Sequence, residues 1–190
     1  MELLKSSNLT KDIVDTSALT IGTFDGMHLG HIHLIENMLE LSKKNASPSV
    51  VLTFNPNPFI VLNNLDKSKY HLINNVKRFE ILESLGVDYS CEIEFDNKLA
   101  QLSAYNFLSN FILDPFNPKH VVIGYDHHFG RGREGNSSFL NKYSYLHNYK
   151  LKVVDAYKID DDIISSSLIR SLIQSGDVSK SKKLLGYNYT

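Results

Sequence analysis

Five short runs of apolar and β-branched residues punctuate this chain, and each gives way to a stretch with helical spacing. The runs are "ALTIGTF" at 18–24, "SVVLTF" at 49–54, "VDYSCEIEF" at 87–95, "KHVVIGY" at 119–125 and "LKVVDAY" at 151–157. Helical patterns are expected at 28–44, 76–86, 97–112, 137–149, 166–175 and 178–185. Between 28 and 44, Leu34, Ile35, Met38, Leu39 and Leu41 mark one apolar face. Strand and helix alternating at this rhythm predicts an α/β fold with parallel strands and helices on both faces. Right-handed crossovers make it a doubly wound, five-stranded open sheet. Ligands of such sheets sit beyond the carboxyl ends of the strands. Four places are singled out: after Phe24, after Phe54, after Gly124 and after Tyr157.

The length of 190 residues predicts a single domain over 1–190. Lys plus Arg is 20 and Asp plus Glu is 21, a net charge of −1. A non-specific nucleic-acid binder carries a basic excess, so that class is excluded and any anion site must be local. No apolar run approaches the roughly 20 residues that span a bilayer, so no membrane partner is expected. The N-terminus lacks the features of a secretion signal. Cys91 is the one cysteine, which forbids an intrachain disulfide and fits a cytoplasmic setting. Residues 55–75 hold two prolines, six asparagines and no clear period. A loop of that length is uncommon unless it binds something or is disordered, and a mobile flap is expected there.

Each of the four places carries unusual chemistry. In "TIGTFDGMHLGH", Gly22 and Gly26 permit a tight turn and close approach of a ligand to the backbone. The helix that starts near His28 offers free N–H groups and a partial positive end to an anion. His28 and His31, three apart, share a face of its first turn, and Gly30 leaves room between them. The alternatives are a zinc site of His28, His31 and His33, or histidines that merely cap a helix; against zinc, His33 points elsewhere on a helix. In "TFNPNPF", Pro56 and Pro58 stiffen a strand exit, while Phe54 and Phe59 are either partners for a planar ring or core residues. In "GYDHHFGRGREGN", Arg131 and Arg133 among glycines suit a phosphate-bearing ligand or a plain solvated loop. In "ISSSLIRSLIQSGD", Ser165, Ser166 and Ser167 stand where an N-cap belongs, with Arg170 a turn further on. That is a second anion-type helix start or an ordinary cap. Two such starts at strand ends of one sheet favour a polyphosphate.

These motifs, in this order, resemble those of the bacterial FAD synthetase family. "GTFDGMHLGH" is similar to its G-x-F-D-G-x-H-x-G-H, and "TFNPNP" to its T-F-x-P-H-P. "GYDHHFGRGREGN" is similar to G-x-D-F-x-F-G-x-x-R-x-G-[DN]. "ISSSLIRSLIQSGDVSKSKKLLGYNY" is similar to I-S-S-T-x-I-R…G-D-V…L-L-G-R-x-Y. The resemblance implies a Rossmann-like nucleotidyltransferase fold and an FMN adenylyltransferase that uses ATP, FMN and Mg²⁺. It implies catalytic roles for His28, His31, Ser165 and Arg170. Gly22, Thr23, Phe24, Gly30, Ser166 and Ser167 would bind ATP. Phe54, Asn57, Phe59, Asp126, His128, Arg131 and Asn136 would bind the flavin or ribose, with no protein-only metal site. Most members of the family continue into a riboflavin kinase barrel. This chain ends where that barrel would begin, so a separate riboflavin kinase is the expected source of FMN. Asn57 stands where the family has histidine, His127 and His128 replace its "FR", and Ser167 replaces threonine. The alternatives are another nucleotidyltransferase, of cytidylyltransferase or pantetheine-phosphate adenylyltransferase type, or a flavin- or nucleotide-binding regulator without turnover.

Overall fold

A computed structural model describes residues 1–66 and 71–189. Six parallel strands form the sheet: β1 (Glu2–Lys5), β2 (Ser17–Ile21), β3 (Ser49–Asn55), β4 (Tyr89–Glu94), β5 (Pro118–Gly124) and β6 (Lys150–Val154). Their order is β1-β4-β3-β2-β5-β6, with parallel pairing throughout. The sheet thus has one strand more than the five expected. β1 escapes sequence inspection because "ELLK" is a four-residue edge strand, largely exposed, with no continuous apolar run. A two-stranded antiparallel hairpin, β7 (Lys158–Ile159) and β8 (Asp162–Ile163), stands apart from the sheet.

The central strands β2 and β3 are buried on both faces, as parallel strands covered by helices must be. Alternate residues serve opposite cores. Leu19, Ile21, Val50, Leu52, Val121 and Ile123 face Phe107, Leu108, Phe116 and Leu140. Ala18, Val51 and Val122 face Leu34, Ile35 and Met38 of α1 (Leu29–Lys44) and Leu82 of α3 (Asn75–Ser84). Each such aliphatic side chain contributes roughly 1.5–3 kcal/mol on burial. A third cluster lies off the sheet. Leu72, Ile164, Ile169, Leu184 and Leu185 join α8 (Ser166–Gln174) and α9 (Val178–Leu185) to the turn after β2.

The helix expected over 97–112 is broken in the structure. Asp96 caps α4 (Asn97–Ala100), and the Ser103 hydroxyl then restarts the chain as α5 (Ala104–Phe107). A π-helical stretch, Leu108–Leu113, and α6 (Asp114–Phe116) follow, closed by Asn117 in the left-handed region. α7 (Ser137–His147) leads into β6. The flap expected over 55–75 includes residues 67–70, which lie outside the described residues. Within it, Pro58–Leu62 forms a short helix, α2, with proline at its first position.

The chain steps from β2 to β3 and β4 on one side, then from β5 to β6 on the other. The reversal between β2 and β5 is the topological switch point, where the carboxyl ends of the strands open a crevice.

Candidate active site

One wall of the crevice is the turn after β2. Phe24, Gly26 and Met27 adopt φ of +48°, +88° and +38°. Left-handed backbone at non-glycine residues costs on the order of 1–3 kcal/mol each. Burial of Phe24, 1% exposed, and of Met27 offsets that cost. A Cβ on Gly22 would lie 3.0 Å from Phe24 Cζ, so glycine is what lets the ring fold back over the strand end. The turn delivers His28 as the N-cap of α1. Its Nδ1 accepts from His31 N at 3.2 Å, which places its proton on Nε2. The His31 ring stacks on His28 at 3.6 Å and meets Phe24 edge-on at 5.3 Å. Burial first, then the charge of Arg170, pulls His28 down to about 4 against a backbone hydrogen bond that works the other way. Burial, then His28 and Arg78, holds His31 well below the usual imidazole range. Both rings are therefore neutral hydrogen-bonding groups at pH 7. His31 Nδ1 finds no partner among the described residues. A Cβ at position 30 would lie 3.2 Å from His28 Nδ1 and 3.7 Å from the Ile164 carbonyl oxygen. Gly30 thus lets the start of α1 close on the segment entering α8.

The opposite wall is the start of α8. Ser165 Oγ caps the helix by accepting from Leu168 N at 3.2 Å. Ser166 Oγ donates to the Asp25 carbonyl at 2.8 Å, and Ser167 is exposed. Arg170 Nη2 pairs with Asp25 Oδ2. Asp25 is 2% exposed; its Oδ1 accepts from Leu72 N at 3.0 Å and lies 3.8 Å from His71 Nδ1. Tyr187 OH donates to the Gly26 carbonyl at 2.6 Å. The turn that leads into the imidazole pair and the serine-rich helix start are thus joined through a single buried aspartate.

The residues assigned to the flavin or ribose are more dispersed. Phe54 is buried in the sheet core, its ring 6.0 Å from Phe95 and 6.1 Å from Phe107. Asn57 is buried and caps α2, its Oδ1 accepting from Phe59 N at 2.9 Å, while Phe59 is 51% exposed. Asp126, His128 and Arg131 are exposed. His128 Nδ1 lies 2.8 Å from the Asp126 carbonyl and 3.0 Å from Arg133 Nη2, so its tautomer chooses between donating to the first and accepting from the second. Asn136 caps α7, accepting from Phe139 N at 3.0 Å.

Two residues of the site escape motif inspection. Asp25 sits inside a quoted motif, but its role depends on partners far away in sequence. Arg78 is 3% exposed and donates to the Thr23 carbonyl at 2.9 Å and to Asn75 Oδ1. Asn75 in turn donates to Glu92 Oε2 at 2.7 Å. Burial pulls the Arg78 guanidinium below its ordinary value, while Glu92 and Asp25 oppose that pull. Its signal is a charged residue four positions before Leu82, on the face of α3 that the core buries. Among the described residues, no group of three or more His, Cys, Asp or Glu side chains converges on a metal position.

A parallel sheet with two helix starts meeting at its switch point defines an α/β protein of nucleotidyltransferase-like fold. The family model for FAD synthetase matches residues 10–168, and the chain belongs to that family. It is 34% identical to the bifunctional riboflavin kinase/FMN adenylyltransferase of Buchnera aphidicola subsp. Schizaphis graminum, over 98% of this chain and 60% of that protein. It is 33% identical to the Listeria monocytogenes protein of the same name, over 90% of this chain and 54% of that one. The chain thus spans a little over half the length of these relatives. A crystal structure described as a macrolide-efflux protein from Streptococcus pneumoniae superposes with a TM-score of 0.86 at 27% identity, covering all of this chain and 61% of that one. Among the described residues, no helix is long and apolar enough to cross a membrane.

Proposed function

We propose that this chain is an FMN adenylyltransferase, which transfers AMP from ATP to FMN and releases pyrophosphate. The observation that carries this reading is the joining of the α1 and α8 starts through Asp25 at the switch point. An FMN phosphate oxygen attacks the α-phosphorus in line; the new P–O bond forms as the bond to the β-phosphate oxygen breaks. The three reacting groups are anionic, so positioning and charge neutralisation are the main tasks, and no protein nucleophile is needed. His28 offers Nε2–H to the α- and β-phosphates, and His31 lies beside it as the second imidazole. Neutral donors strengthen as charge builds on the departing pyrophosphate. The Ser165 hydroxyl, the Ser166 backbone N–H at the helix start and Arg170 hold the outer phosphates, with Gly22, Thr23 and Gly30 allowing the nucleotide to approach the backbone. Ser167 lies at the rim. Phe24 supports the His31 ring from beneath.

Among the described residues the carboxylates form no metal cage, and Asp25 is held by Arg170 and Leu72 N. That fits Mg²⁺ arriving on ATP, since this ion is held mainly by substrate phosphates with few protein ligands. When bound there it would neutralise phosphate charge. The flavin ring is assigned to the strand exits around Asn57, Phe59 and Asp126. FMN is the product of riboflavin phosphorylation, the other activity in the names of the bifunctional relatives. Incubation of the chain with FMN, ATP and Mg²⁺, followed by chromatography, should yield FAD and pyrophosphate in equal amounts, and CTP should yield neither. Tight FMN binding without pyrophosphate release would overturn the assignment.

A further inference from the structure

We infer that Asp25 is a positioning residue, which aims the Arg170 guanidinium and fixes the segment entering α3 against the phosphate-binding turn. This inference rests on the function proposed above. A carboxylate 2% exposed is costly unless it is fully partnered. Its partners come from two distant segments: Leu72 N is 47 residues away and Arg170 is 145. The carbonyl of the same residue accepts from Ser166, at a separation of 141.

A guanidinium is a planar fork of five N–H donors. A carboxylate held in place by its own backbone turn and engaged with Nη2 orients that plane. Arg170 is 14% exposed at its side chain, so it is enclosed by the fold. Its charge is felt at His28, so it lies within electrostatic reach of the facing imidazole wall. Leu72 is fastened twice. Its N–H is held by Asp25, and its side chain fills the space over Gly26, where a Cβ would lie 2.9 Å from Leu72 Cδ1 and 3.7 Å from Leu185 Cδ2. The exit of the 55–75 segment, the anion-binding turn and α8 therefore share one polar centre. Asp25 touches no phosphate in this scheme. It acts through Arg170.

Residues that act as a unit lose activity non-additively. D25N keeps the shape and one acceptor for Leu72 N but removes the charge that pairs with Arg170. D25N and R170Q should each lower kcat/KM for ATP by about 10², the scale of one lost transition-state donor. The double variant should fall no more than about threefold below R170Q alone. Losses that multiply, near 10⁴, would assign Asp25 an independent structural role and overturn the inference, as would a folded D25N with normal turnover. If D25N by itself unfolds because Arg170 has lost its buried carboxylate partner, the step from R170Q to the double variant still decides. A double variant that fails to fold also counts against the inference. Should the wild-type chain form no FAD, the function proposed above fails by itself. The same four proteins are then compared by calorimetry with ATP, where the double variant must again bind no more than about threefold weaker than R170Q.

Discussion

The chain carries two glycine-bearing loops with paired histidines, one after β2 and one after β5, on either side of the same switch point. They are held in opposite ways. The partners of residues 23–26 come from afar: Thr53 and Thr23 are 30 residues apart, Arg78 and Thr23 are 55 apart, and Tyr187 and Gly26 are 161 apart. The loop after β5 is fastened largely to itself. Phe129 and Gly135 exchange two backbone hydrogen bonds of 2.9 Å, His128 leans on Asp126 and Arg133, and Asn136 caps the adjoining helix. A turn cross-linked to four distant segments is a fixed platform, and its imidazole donors are aimed by the whole fold. A loop that satisfies its own polar groups can be rigid without organising anything else. Similar composition therefore gives a candidate site in one place and mainly a local structure in the other.

The sharpest way to break this contrast is H31A. It should lower kcat by about 10²–10³ while the fold survives, because the ring is a donor on a turn that other residues hold. Steady-state FAD formation and thermal melting measure both halves. Near-normal turnover would remove the imidazoles from the mechanism and the contrast with them.

Acid titration gives a smaller effect and probes both loops together. His28 and His127 are each pulled from 6.5 to about 4, burial being the main cause in both. A folded-state value below the unfolded one means that the unfolded chain binds more protons between those limits. Stability is therefore level above pH 7 and falls as pH drops from about 6.5 to about 4. The loss is on the order of 3 kcal/mol for a shift of that size. H28Q and H127Q should each flatten part of this acid limb in urea titrations. H28Q alone should also cost turnover. An equal collapse of turnover in H127Q, whose Nε2 lacks a partner among the described residues, would make the second loop part of the site.

The same contrast explains what could be seen in the sequence. The parallel α/β architecture was legible because buried strands such as 49–54 read as apolar runs and α1 shows its apolar face directly. The capping positions of His28 and Ser165 were legible because a cap is a local device. β1 was not, since four largely exposed residues at a sheet edge carry no signal. The break at Ser103 was masked by the apolar residues on both sides of it. Asp25 and Arg78 were hidden for a different reason: their meaning lies in partners tens of residues away, which no spacing rule reaches. The second loop misled in the reverse sense. Arg131, Arg133 and three glycines form a phosphate-like composition, yet Gly130 is there because a Cβ would lie 2.7 Å from the Ala104 backbone.

That docking of the second loop on α5 supplies the smallest and most selective test. Glu134 Oε1 accepts from Ala104 N at 2.7 Å, one of the otherwise unpaired donors of the first turn of α5. The Arg131 N–H meanwhile donates to the Leu102 carbonyl at 2.8 Å, just ahead of the same helix. E134A deletes a cap-like acceptor and should cost about 1 kcal/mol of stability in urea unfolding. E134Q keeps an acceptor oxygen and should recover most of it. Neither should alter kcat beyond about twofold, because the hydrogen bond steadies a loop that the β2 turn does not lean on. A turnover loss in E134A that E134Q fails to restore would tie the charge of this loop to the reaction, and the two loops would then be halves of one site.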